Sequence, residues 1–189
     1  FGKPFAVSQL AIPAVCALII FLSYTSQFLF LHSEASPLRT DEIWRLNLFV
    51  LCTWICYYRA CTVNPGRIPK DWKPSDHKKV EAERDTGRQR WCRKCEAFKP
   101  PRAHHCRTCQ RLVSSVSINE TNSLYRCIPK MDHHCPWTSN CVSHSTFPHF
   151  IRFIFYAVTA MCYLESFLFK RVWIIWDDRN LPSVRSALI

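Results

Sequence analysis

Hydrophobic positions gather toward the two ends of this chain, and a long polar block separates them. Residues 5–31 (FAVSQLAIPAVCALIIFLSYTSQFLFL) carry no charge, and a helix of that length crosses a bilayer core of about 30 Å. Their length and the lack of a cleavage-like end separate them from a removable signal peptide, and Pro13 marks a candidate kink. A second run, residues 42–60, is strongly apolar from Leu48 to Tyr58. Arg45 and Arg59 sit near its ends, where long side chains reach the interfaces. A third runs from Phe150 to Phe169, with Arg152 near its start and Lys170 and Arg171 past its end; Glu165 reads as interfacial. Taken alone, the second and third runs also suit amphipathic core helices of a soluble protein.

The expected fold is therefore mainly α, with multi-pass transmembrane helices around a small polar domain. Residues 1–61 would hold the first two helices and a short lumenal loop, 62–90 a linker, 91–146 a cysteine-rich domain, and 147–189 the third helix. Asn64-Pro65-Gly66 predicts a turn just beyond the second helix.

Charge orients this arrangement. The net charge is +11, and residues 62–146 hold sixteen of the twenty-five Lys and Arg against eight acids. Basic loops stay on the cytosolic side, so this block is expected in the cytosol, with the N-terminus beside it and the C-terminus across the membrane. Lys170, Arg171, Arg179 and Arg185 then lie on the side that the rule disfavours. A free zinc-knuckle protein binding nucleic acid would also be basic, but the uncharged run at 5–31 argues against it, and no nucleic-acid partner is expected.

Cysteines change the picture most. Seven of the twelve fall between Cys92 and Cys141, interleaved with His105, His133 and His134. Cys16, Cys52, Cys56 and Cys162 lie in apolar runs and pack there as small hydrophobes. Cys92-x-x-Cys95 and Cys106-x-x-Cys109 are two zinc knuckles in a loop where thiols stay reduced. The remaining donors are His105, Cys127, His133, His134, Cys135 and Cys141. Two Cys3His sites consume eight of these ten candidates, and spacing does not say which two are spare. Between Met131 and Trp137 the sequence Met-Asp-His-His-Cys-Pro-Trp supplies an acid, a base and a thiol in Asp132, His133 and Cys135. A carboxylate-held imidazole is one way to make a cysteine thiolate, the nucleophilic form.

WCRKCEAFKPPRAHHCRTCQR and CIPKMDHHCPWTSNC resemble the DHHC cysteine-rich domain of protein palmitoyltransferases, which that family carries between its second and third transmembrane helices. STFPHFIRFIFYAV is most similar to the fungal, endoplasmic-reticulum branch. The resemblance implies one structural zinc on Cys92, Cys95, His105 and Cys127, and a second on Cys106, Cys109, His134 and Cys141. It leaves His133 and Cys135 as the spare pair and His104 as a residue of the surface or one that supports a ligand. It further implies acyl transfer from a long-chain acyl-CoA to Cys135, with His133 as base and Asp132 orienting it. The acyl group then passes to cysteines of membrane-associated proteins placed near the bilayer. Lys94, Lys99, Arg102 and Arg107 are candidate partners for the CoA phosphates. The implied location is the endoplasmic reticulum or, alternatively, the Golgi membrane.

Several features depart from the family pattern. LVSSVSINETNSLYR, residues 112–126, separates two ligands that the family keeps close; deleting it restores CQRCIPKMDHHC. Lengthening that loop from two residues to seventeen costs about 2 kcal/mol of closure entropy, small beside the ~10 kcal/mol of a structural zinc. The stretch reads as an unremoved intron or gene-model error. Asn64 stands where the family usually has Asp, and Thr146 where it often has Asn, while Phe150 matches. The family's fourth helix and Thr-Thr-x-Glu motif are not visible, which suggests a fragment. The competing function is a catalytically inert, zinc-binding membrane scaffold in which Cys135 is simply another thiol.

Overall fold

The structure is a computed structural model describing residues 7–31, 39–68, 72–73, 91–109 and 127–180. Most of the expected linker, the stretch 112–126 and the tail with Arg185 lie outside the described residues. The elements are α1 (Val7–Ile20), a π-helical segment (Phe21–Thr25), α2 (Ser26–Leu31), α3 (Thr40–Thr62), six short strands and α4 (Phe147–Asn180). They form two compact units, one of Ala14–Cys56 with Arg152–Ile189, the other of Phe1–Pro13 with Tyr57–Ile151.

The first unit is helical. Pro13 lies inside α1, and further on the helix widens to a π turn. Ser26 Oγ donates to Leu22 O at 2.6 Å and Ser23 O at 3.0 Å, satisfying carbonyls that the wider turn loosens. α3 starts with Asp41 and Glu42 in its first turn, the sign that a helix N-terminus favours. Glu42 accepts from the Arg39 N–H at 3.1 Å, as in a capping box. Gln27 and Asn47 pair reciprocally, at 3.2 and 2.9 Å. In an apolar surrounding such an amide pair contributes about 0.6–2 kcal/mol. Phe167 is buried against Ile43, Tyr163 and Leu164, and Tyr163 meets Phe49 edge-on at 5.6 Å.

Two helical stretches are long and apolar enough to cross a membrane, Leu10–Leu29 and Phe147–Ile174. Only 6% of the apolar window of each is buried, whereas the core helix of a soluble protein buries its apolar face. Phe21, Phe28, Phe155, Phe169, Trp173 and Trp176 all point outward, a display that water does not tolerate over such an area. α3, expected as a further span, has 23 residues, or about 34 Å of helix. It falls below the same hydropathy because Asn47, Trp54, Tyr57, Tyr58 and Arg59 dilute its apolar run.

The second unit comprises the start of α1, the end of α3, three antiparallel hairpins and the first turn of α4. The strands are β1 (Trp91–Cys92), β2 (Ala97–Phe98), β3 (His104–His105), β4 (Cys127–Ile128), β5 (His133–Cys135) and β6 (Asn140–Val142), paired β1–β2, β3–β4 and β5–β6. Their common core is Cys106, Ile128 and Cys141, with Cys109 and Met131 against it. Just past α3 the chain turns at Asn64-Pro65-Gly66. Asn64 Oδ1 accepts the Gly66 N–H at 3.0 Å, and Gly66 adopts φ +95°, which favours glycine. A Cβ there would lie 3.1 Å from the Pro129 ring. Gly66→Ala is therefore expected to cost about 1–3 kcal/mol, read as a lower thermal unfolding midpoint of the detergent-solubilised, zinc-loaded protein. An unchanged midpoint would show that the turn relaxes freely.

Candidate active site and metal clusters

Each hairpin carries chemistry through its register. In the first, Cys92 lies opposite Ala97 and the loop closes through Glu96 at φ 48°. This places the thiols of Cys92 and Cys95 side by side. In the second, His105 lies opposite Cys127, and directly opposed residues of antiparallel strands share a face. The knuckle and that cross-strand pair converge: Cys92, Cys95, His105 and Cys127 bring all four donor atoms within 4.8 Å of one another.

The second cluster repeats the plan. Cys106 and Cys109 follow β3, and His134 lies opposite Cys141 in β5–β6. Again the four donors gather within 4.8 Å. His134 Nδ1 is 3.3 Å from Cys109 Sγ, 3.5 Å from Cys141 Sγ and 3.6 Å from Cys106 Sγ. Zn–S bonds of about 2.3 Å give tetrahedral edges near 3.8 Å, so three thiols and one imidazole at these separations fit a zinc ion. The same holds where His105 Nδ1 lies 3.1 Å from Cys95 Sγ, and Cys127 Sγ 3.5 Å from Cys95 Sγ. Four protein donors per cluster close the tetrahedron and leave no position for a reacting water. The strands that carry these donors have only two or three residues each and are too short to show alternation.

Crowded sulfur has electrostatic consequences. Hydrogen bonds from Cys109 and Cys141 push the Cys106 thiol far down, while hydrogen bonding with Cys106 and Cys109 pushes the Cys141 thiol far up. Burial, then Cys92 and Cys95, push Cys127 up. Hydrogen bonds to the Cys106 and Cys109 sulfurs raise His134 to about 9. These protons are what a dication would displace. At the first cluster, burial and then Lys94 and Lys99 hold His105 below the ordinary imidazole range, favouring the neutral, ligating form.

β5 alternates, so His133 and Cys135 project away from the face that carries His134. Asp132 Oδ2 accepts from His133 Nδ1 at 3.0 Å, which leaves Nε2 as the basic nitrogen. The Asp132 N–H donates to Val142 O at 2.9 Å, extending the ladder and fixing the carboxylate. Phe150 meets the His133 ring edge-on at 5.7 Å. Cys135 is buried, whereas Asp132 and His133 are exposed. The Cys135 and His133 side chains sit about 7 Å apart along the strand by their spacing. His104 is an exposed β3 residue opposite Ile128.

Several residues that hold this arrangement carry no signal of that role in the sequence. Asn140, opposite Cys135, donates through Nδ2 to Ala60 O at 2.9 Å and Val63 O at 2.8 Å, and its Oδ1 accepts the Cys141 N–H at 2.9 Å. Tyr57 Oη donates to Trp137 O at 2.9 Å. Ser143 Oγ donates to Pro65 O at 2.7 Å, and Thr146 Oγ1 to Cys141 O at 2.7 Å. Only strand period, which sets Asn140 on the face of Cys135, could have pointed to the first of these.

A family model described as DHHC palmitoyltransferase matches residues 85–116 and 121–188, breaking inside the 112–126 stretch. A palmitoyltransferase of Emericella nidulans named pfa4 is 61% identical over 95% of this chain, and its Aspergillus fumigatus counterpart 62% over 96%. A probable protein S-acyltransferase of Arabidopsis thaliana is 35% identical over 82%. The chain spans 38%, 39% and 51% of the lengths of these curated relatives. With the matched segments covering more than half of its residues, and the two cysteine-histidine clusters and the Asp132–Cys135 strand inside them, this chain belongs to the DHHC palmitoyltransferase family.

Proposed function

We propose that the protein is a protein S-palmitoyltransferase of the endoplasmic-reticulum membrane, with Cys135 as nucleophile, His133 as general base and Asp132 as its orienting carboxylate. The supporting observation is the Asp132–His133 hydrogen bond on the face of β5 that also carries Cys135, turned away from the metal cluster. His133 Nε2 takes the Cys135 proton, and Sγ attacks the thioester carbonyl of a long-chain acyl-CoA. The carbon–sulfur bond to CoA breaks, and the departing thiolate recovers the proton from His133. In the second half, His133 deprotonates a cysteine of a membrane-associated protein, whose sulfur displaces Cys135 from the acyl group, and the released Cys135 thiolate recovers the proton from His133. No oxidant or reductant enters.

Zinc bound by Cys92, Cys95, His105 and Cys127, and by Cys106, Cys109, His134 and Cys141, supplies structural binding energy. The apolar helices, α3 included, would cross the bilayer three times with the hairpin unit on the cytosolic side. Lys94, Lys99, Arg102 and Arg107 would receive the CoA phosphates, and Phe, Leu and Ile side chains the acyl chain.

The test is thioester formation. Zinc-loaded protein in detergent is incubated with alkyne-tagged palmitoyl-CoA, beside a version lacking residues 112–126. Hydroxylamine-sensitive labelling of the protein is the expected result, at least as fast in the shortened version. If both versions bind zinc and neither is labelled, the catalytic reading fails and the inert scaffold replaces it.

A further inference from the structure

We infer that Asn140 is a positioning residue for the nucleophile, clamping the β5–β6 hairpin to the end of α3 so that Cys135 is held at a fixed place beside the helix terminus. The inference rests on the reading of Cys135 as nucleophile and adds a residue to its machinery.

Three observations carry it. First, Asn140 lies directly opposite Cys135 in the ladder, so the two side chains share one face, while His134 and Cys141 occupy the other. Any force on the Asn140 amide is transmitted to Cys135 across one pair of strands. Second, the amide is fully used. Both Nδ2 hydrogens go to carbonyls at the α3 terminus, Ala60 O at 2.9 Å and Val63 O at 2.8 Å, and Oδ1 receives the Cys141 N–H at 2.9 Å. The last carbonyls of a helix have no partner within it, so these acceptors are open until Asn140 arrives. Third, the same helix end holds the hairpin loop from a second point: the buried Tyr57 hydroxyl donates to Trp137 O at 2.9 Å. Two anchors, one on the strand and one in the loop, remove the freedom to rock that a single anchor leaves.

The chemistry at this position is specific. Two donors and one acceptor are needed in a group of this length. Aspartate has the shape but lacks the donors, and its charge would face two carbonyls at the negative end of the helix dipole. Alanine merely leaves the carbonyls unpaired. Glutamine carries the right groups one methylene too far. Asparagine alone meets the geometry, and its Oδ1 contact to Cys141 also registers the metal-bearing face with the nucleophile-bearing one.

A rate depends on where a nucleophile is held, since a displacement of about 1 Å costs roughly a hundredfold. The experiment measures three quantities on zinc-loaded full chain in detergent: zinc per protein, the rate of acyl-enzyme formation at saturating palmitoyl-CoA, and the Michaelis constant for palmitoyl-CoA. Asn140→Asp and Asn140→Ala are expected to keep both zinc ions and to form the thioester about tenfold to a hundredfold more slowly, the aspartate variant slower of the two. Tyr57→Phe is expected to be slowed about threefold, as the second and weaker anchor. A Michaelis constant for palmitoyl-CoA near that of the parent in all three variants separates positioning from substrate binding. Parent rates in both Asn140 variants would overturn the inference. So would slowing that merely tracks lost zinc, because Asn140 would then be structural only. Cys135→Ser serves as control: if it is labelled as fast as the parent, the nucleophile reading fails, whatever Asn140 does.

Discussion

Replacing Cys135 by serine is expected to abolish hydroxylamine-sensitive labelling by palmitoyl-CoA, a loss of at least about a thousandfold. Only the nucleophile changes. A hydroxyl is far harder to ionise than a thiol and forms an ester, which neutral hydroxylamine leaves intact. Cys135 is buried on a strand whose metal-facing residue is His134, so serine fits the same space and both clusters survive. Retained zinc with lost labelling therefore separates chemistry from folding. His133→Ala removes the base and Asp132→Asn weakens only its orientation, so the expected order of loss is Cys135 first, His133 next, Asp132 last. The two partner substitutions are expected to lower acyl-enzyme formation about a hundredfold and about tenfold. On the proposed reading Asp132, His133 and Cys135 act as a unit, so the double variant Asp132→Asn with His133→Ala is expected to be no slower than His133→Ala alone. Additive losses would instead mean that Asp132 acts without His133, and the hydrogen bond at 3.0 Å would have no catalytic meaning.

How much of this was legible in the sequence depends on the range of each interaction. The apolar helices were visible as long, predominantly apolar runs, since a helix that faces lipid writes its environment along its whole length. The two knuckles were visible because Cys-x-x-Cys is local. What joins each knuckle to its partners is not local. His105 meets Cys127 and His134 meets Cys141 through strand register, in strands of two or three residues that show no hydrophobic period. Spacing thus left ten donors for eight places, and only the resemblance assigned them. Asn140 and Tyr57 each reach a partner eighty positions away, and neither residue type announces such a bond. The π turn at Phe21–Thr25 and the Gln27–Asn47 pair are equally silent, being local adjustments and side-chain encounters that a single sequence does not encode.

Cys141→Ala is expected to be the most destructive change to structure. Cys141 has no exposed surface, belongs to the core with Cys106 and Ile128, and pairs with His134 across β5–β6. The hairpin unit has only a small apolar core among its described residues, so a metal at each of its two clusters would supply most of what holds it. A structural zinc site contributes on the order of 10 kcal/mol, comparable with the whole stability of a typical domain. The variant is expected to carry one zinc per chain or none, to lose labelling, and to become sensitive to protease across residues 91–146. Cys135→Ala, a loss of the same group from the opposite face of the β5–β6 hairpin, is expected to keep two zinc ions and parent protease resistance. Cys141→Ala protein with both metals retained would remove Cys141 from the ligand set. Acidity tests the same bonds. In the metal-free protein the raised His134 stabilises the fold below about 6.5, and that contribution fades as pH rises through about 9. With zinc the sign reverses, because coordination needs neutral imidazole and thiolate, and protons compete for both. Chelator is thus expected to strip zinc and melt the unit more readily as pH falls, followed by metal content and protease resistance on one sample. Stripping that is independent of pH would mean that the metal is not held by these sulfurs.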